Sequence, residues 1–134
     1  MAENTVVKDQ LTSAMVEVGA ALASKLDEMG VATTAALWSF EPELNEWRLV
    51  FASSEVATRG PREIYEKIRL AIGQLDGKAT AVPLSSVVLM DSNADLIRLL
   101  RVALKTGGET GPIRFSRNVI NGHFIDDALI YRIT

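Results

Sequence analysis

The side chains able to do chemistry in this 134-residue sequence gather around one dipeptide, Asn121-Gly122. Arg114, Arg117, Asn118, His123, Asp126 and Asp127 flank it closely. Asn-Gly between apolar, strand-forming runs is a strong hairpin signal, because both turn residues must take positive φ. A two-residue turn then pairs Ile120 with His123, Val119 with Phe124, Asn118 with Ile125, Arg117 with Asp126, Ser116 with Asp127 and Phe115 with Ala128. Alternation puts Arg117 and Asp126 in the middle of a face formed by Ile113, Phe115, Val119, Phe124, Ala128 and Ile130. The chemistry such a pair offers is an arginine that binds an anion or acts on a substrate, oriented by a carboxylate. Asn118, His123 and Asp127 would lie close by. A cross-strand ion pair at the exposed end of a sheet, worth about 0.2 to 1 kcal/mol, accounts for the same residues.

The remaining candidates point to fewer chemistries. His123 is the sole histidine and there is no cysteine. A two-histidine metal site, a thiolate metal site, a disulfide and a thiol nucleophile are therefore excluded. Adjacent Asp126 and Asp127 point to opposite faces of a strand, so without a bulge they do not share a metal ion. No metal and no cofactor are expected. Arg98, Arg101 and Lys105 recur at i, i+3 and i+7, a basic stripe beside a wide apolar arc of Leu96, Ile97, Leu99, Leu100, Ala103 and Leu104. With Arg114 the stripe could bind phosphates, although cations near a helix C-terminus are also favoured by its dipole. Asp91 ends an apolar strand, where ligands gather in α/β folds, and is similar to the acceptor Asp of receiver domains. No acidic pair follows a first strand, and helix capping by Asp91 or Ser92 accounts for the position. The glycine-rich loop at 106–111 follows a helix and precedes a strand, the reverse of the order that aims backbone amides at phosphate.

These residues need elements to position them. Val7, Leu11, Met15, Val18, Leu22, Leu26 and Met29 recur every three or four residues, which predicts a helix over 7–29 stopped by Gly30. Residues 33–41 and 47–53 read as a strand hairpin, across which Trp38, Phe40, Trp47 and Phe51 pack or line an aromatic ligand pocket. Both faces of the second strand carry apolar residues, so helices are expected on each side of the sheet. Gly60-Pro61 opens a helix bearing Ile64, Ile68, Ile72 and Leu75, ended by Asp76-Gly77. A strand over 83–90 follows, then a third helix running to about Lys105, with Ser92 and Asp95 at capping-box spacing. Strands 113–120 and 123–133 complete the order α-β-β-α-β-α-β-β. The fold class expected is α/β, α+β-like: one mixed five-stranded sheet, three helices and a C-terminal β-hairpin in a single domain over 1–134.

Residues 26–53 include Ala-Ala-Leu-Trp-Ser-Phe and Glu-Trp-Arg-Leu-Val-Phe, and the stretch resembles the opening of GAF-type sensory domains. That resemblance implies a sensory fold and carries no site residue. The formal net charge of −3 argues against a surface built wholly for nucleic acid. A cytoplasmic location without membrane partner is expected, because no cationic stretch precedes an apolar one and no run of about 18 apolar residues occurs. The function expected is a non-enzymatic protein-interaction module, a homo-oligomer or a subunit of a bacterial complex. The alternatives are a small-ligand sensory domain and a phosphate- or nucleic-acid-processing protein using the C-terminal Arg/Asp cluster.

Overall fold

The computed structural model describes residues 9–75, 82–104 and 112–134. Helix α1 (Ser13–Glu28) starts where Thr12 Oγ1 accepts a hydrogen bond from Met15 N at 3.1 Å. It ends at Gly30, whose φ of 79° lets the chain turn away. Strands β1 (Ala35–Glu41) and β2 (Glu46–Ser53) form the expected antiparallel hairpin. A short helix α2 (Glu55–Arg59), absent from the sequence reading, then leads through Gly60 into α3 (Pro61–Gly73). At five residues α2 is too short to show a helical period. Strand β3 (Val87–Asp91) follows a 3-10 turn at Leu84–Ser86, so the segment read as strand from 83 is extended only from 87.

Helix α4 (Asp95–Ala103) stops short of the expected end at Lys105, which lies outside the described residues with the 106–111 loop and Asp76-Gly77. The Ser92–Asp95 capping box does not form. Asp91 Oδ2 instead accepts from Asn93 N at 2.9 Å, closing a local turn that moves the helix cap to Ala94. Strands β4 (Ile113–Ile120) and β5 (His123–Ile133) match the expected bounds, and Asn121 and Gly122 take φ of 48° and 81°.

The five strands form one mixed sheet in the order β3-β2-β1-β5-β4. Neighbours are antiparallel except β2 and β3, which are parallel because α2 and α3 carry the chain back along one face. That face is covered by α1 and α3, which enclose Trp38, Leu49, Phe51, Leu22, Leu26 and Ile68. Against the other face lies α4, whose Ile97 and Leu100 pack on Leu37, Val50 and Ile130. Apolar surface on both faces thus accounts for the three-layer arrangement. No helix among the described residues is long and apolar enough to cross a membrane.

Candidate functional site

The final hairpin keeps the counted register, from Ile113 opposite Ile130 to Ile120 opposite His123. Its faces are not those that strict alternation predicts. Ile120 and Ile125 pack with Phe115, Ala128 and Ile130 against α4, whereas Val119 and Phe124 stay 64% and 61% exposed. The cause is Arg117, which takes a φ of 47° inside the strand and turns the rest of β4 over. Strand β5 changes face at the same level, at Asp126, so the pairing count is conserved beyond it. The ladder pairs the residues on either side of Arg117 and Asp126 and skips those two. Arg117 projects into solvent and Asp126 is half-buried.

The close ion pair of the hairpin belongs to Arg114 and Asp127, on the α1/α3 side of the sheet. Arg114 Nε and Nη2 donate to Asp127 Oδ1 and Oδ2 at 2.6 and 2.7 Å, and Ser116 Oγ donates to Oδ1 at 2.9 Å. The Arg114 guanidinium also lies 5.5 Å from the centroid of the Trp47 ring. Its hydrogen bonds to Asp127 raise the Arg114 pKa above the ordinary arginine value. Trp47 Nε1 in turn donates to Asp9 O at 2.9 Å, drawing the segment before α1 over the ring. A small polar depression of about 370 Å³ lies between Asp9, Gln10, Trp47 and this pair. Both oxygens of a buried carboxylate are engaged here, so the cluster clamps β4 to β5 and to the N-terminal segment.

A second feature lies on the opposite side of the sheet, between α4 and the hairpin tip. An open groove of about 890 Å³ runs there, with Leu96, Leu99 and Val102 of α4 along one wall and His123, Phe124 and Ile125 along the other. Val102 is 71% exposed. Arg98 and Arg101, two members of the expected basic stripe, also border the groove, with Asp95 at its acidic end. Arg101 is anchored, since Nε donates to Thr134 O and Nη2 to Ser92 O, each at 2.9 Å.

Of the expected site residues, the structure brings His123 and the two described stripe arginines to the groove, and Arg114 and Asp127 to the clamp. Asn118 belongs to neither, and its Nδ2 donates to Ser116 O at 3.3 Å. Among the described residues no group of three or more acidic or histidine side chains is placed to hold a metal ion. Trp38 is sealed in the core, where Nε1 donates to Tyr131 Oη at 3.0 Å. The sequence reading missed Val102 and Phe124, the exposed apolar members of the groove. Val102 lies beside the basic stripe and outside the apolar arc of α4, so helical spacing gave no signal for it, while that for Phe124 was masked by the change of face at Arg117. Neither a protein-family model, nor a curated protein, nor a solved structure matches this chain.

Proposed function

We propose that this chain is a non-enzymatic interaction module, a cytoplasmic subunit of a larger protein assembly, which seats a segment of a partner protein between α4 and the β4–β5 tip. The observation that carries this reading is the concentration of exposed apolar side chains there. Val102 and Phe124, both exposed, border one groove together with the half-buried Leu96 and Leu99. Apolar side chains clustered in this way mark contact surfaces, whereas single ones elsewhere need no explanation. The breadth and openness of the groove suit a polypeptide better than an enclosed small ligand. A catalytic reading has less support, because Arg114 and Asp127 are occupied with each other.

The test is site-specific photo-crosslinking in the native cell from Val102 and Phe124, with Leu44 and Leu70 as exposed controls. A discrete protein adduct from the groove positions, not formed from the controls, supports the reading. Adducts of equal yield from all four positions, or none from the groove, overturn it.

A further inference from the structure

We infer that the partner segment is apolar and acidic: a short amphipathic stretch whose Leu- or Phe-like side chains enter the groove and whose carboxylates meet Arg98 and Arg101. This rests on the reading of the groove as a protein-docking surface and adds the chemistry of its occupant. Three observations carry it.

The first is charge. The whole chain is net negative at −3, yet the groove is bordered by two guanidiniums and one carboxylate, Asp95. Asp95 sits in the first turn of α4, where the helix dipole already favours it. Among the described residues no side-chain carboxylate pairs with Arg98, while Arg101 is held by Ser92 O and Thr134 O and stands beside it. Complementary charge at the rim of an apolar groove selects a partner and steers its approach.

The second is what the rest of the surface lacks. The other large apolar side chains exposed among the described residues, Leu44, Leu70 and Leu84, are scattered over the β1–β2 turn, α3 and the 3-10 turn. Among the described residues a head-to-tail contact between copies therefore finds no second apolar patch away from the hairpin tip. A two-fold contact would set the Arg98 and Arg101 patch against itself, a like-charge juxtaposition. A second copy is thus a poorer occupant than a different, acidic chain.

The third is the outer strand. β4 is an edge of the sheet, the usual template for a partner strand. Arg117 interrupts its backbone with a left-handed residue, and β4 changes face there. A partner strand would meet a broken ladder, whereas the groove behind the tip is lined on both sides, by α4 and by His123, Phe124 and Ile125.

The experiment is selection of random displayed peptides of about 16 residues on the full chain, with counter-selection on Val102→Asp. Arg98 and Val102 are both exposed, so neither substitution threatens folding. The expected result is enrichment of peptides carrying apolar residues at helical spacing beside Asp or Glu. Synthesised representatives should lose about tenfold or more in affinity with Arg98→Glu, and should weaken as salt rises. Lys in place of their Asp and Glu should abolish binding. Enriched peptides that are basic or neutral, or that ignore Arg98→Glu while still needing Val102, overturn this inference and leave the docking reading standing. Peptides indifferent to both substitutions overturn both. Concentration-dependent self-association that protects Val102 and Phe124 also overturns the inference, since the occupant is then a second copy.

Discussion

Arg114 reaches diagonally across the β4–β5 ladder to hold Asp127 in a two-pronged grip at 2.6 and 2.7 Å, passing its own register partner Leu129. Asp127 is buried while the Arg114 side chain is 51% exposed, so the two ends of this bond differ in solvation. Removing the arginine leaves a buried carboxylate short of its main partner. Arg114→Ala should therefore cost about 1 to 3 kcal/mol, less than a fully buried pair because water screens the exposed end. Urea titrations of Arg114→Ala, Asp127→Ala and the double variant form the cycle that checks this. A double variant as unstable as the sum of the singles would mean that the two side chains act independently.

Gly19 marks the closest packing of α1 on the sheet. A Cβ at that position would lie 2.5 Å from Tyr131 Oη and 2.7 Å from Trp38 Nε1. Neither neighbour is free to retreat, because Trp38 is fully buried and the Tyr131 hydroxyl donates to Val16 O at 2.6 Å. Gly19→Ala should destabilise the fold by about 1 to 3 kcal/mol through overpacking, outweighing any gain in helix propensity. Thermal melts of Gly19→Ala and of Gly19→Ala/Tyr131→Phe provide the check. The second change removes one clashing oxygen, so with Tyr131→Phe alone as the reference the double variant should lose less than the sum of the two singles, and strictly additive losses would refute the steric account.

Tyr131 also gives the fold an alkaline limit. Burial pushes its phenol from 10.0 up to about 12, because the folded interior disfavours the phenolate. The folded pKa is the higher one, so the stabilisation is intact below the unfolded value of about 10 and falls away as pH rises toward 12. Tyr131→Phe should be less stable at neutral pH, since Trp38 Nε1 loses its acceptor and Val16 O its donor. Between pH 10 and 12 its stability should decline less steeply than that of the native chain. Parallel curves for the two proteins over that window would show that Tyr131 does not titrate as described.

Asp27 sets a corresponding acid limit. Its carboxylate accepts from both Arg132 amino groups, at 2.9 and 2.6 Å, and these hydrogen bonds hold its pKa below the usual 3.8. A depressed folded pKa means stability present above the unfolded value and lost as pH falls through the folded one. Asp27→Asn should flatten the acid limb of a stability curve measured below pH 4. An unchanged limb would assign acid sensitivity to other carboxylates.

Arg117 offers a test of backbone strain. At a φ of 47°, glycine has no steric penalty and a β-branched residue has the largest. Arg117→Val should be less stable than Arg117→Gly by about 1 to 2 kcal/mol, read from denaturant midpoints. Equal midpoints would indicate that the strand simply straightens.

Much of this architecture could be read from local chemistry. Pro61 fixes φ for a first helical turn, and Gly30 and Asn121-Gly122 tolerate the positive φ that a helix end and a tight turn need, so helix end, helix start and hairpin register followed from residue type. The faces of that hairpin did not, because nothing about arginine signals a left-handed residue at 117. Nor was the groove legible. Leu99 and Val102 border it together with Phe124 only because α4 crosses beneath the hairpin tip, a tertiary placement that local spacing does not encode. Ser92 and Asp95 had the spacing of a cap, but the preceding Asp91 captured the Asn93 amide first and moved the cap past Ser92 to Ala94.

The position of β5 between β1 and β4 bears on how the chain reaches this state. β1 pairs with β5 through partners as far apart in sequence as Ala35 and Ile133, and Thr134 N donates back to Thr34 O. During synthesis the β1–β2 hairpin must therefore wait, one backbone edge unsatisfied, until almost the whole described chain has been made. Pairing of this separation slows folding, because the entropy of closing the loop is lost before any contact forms. The nascent protein thus has a window in which the edge of β1 is open to pairing with another chain, and β5 closes that window from the inside of the sheet.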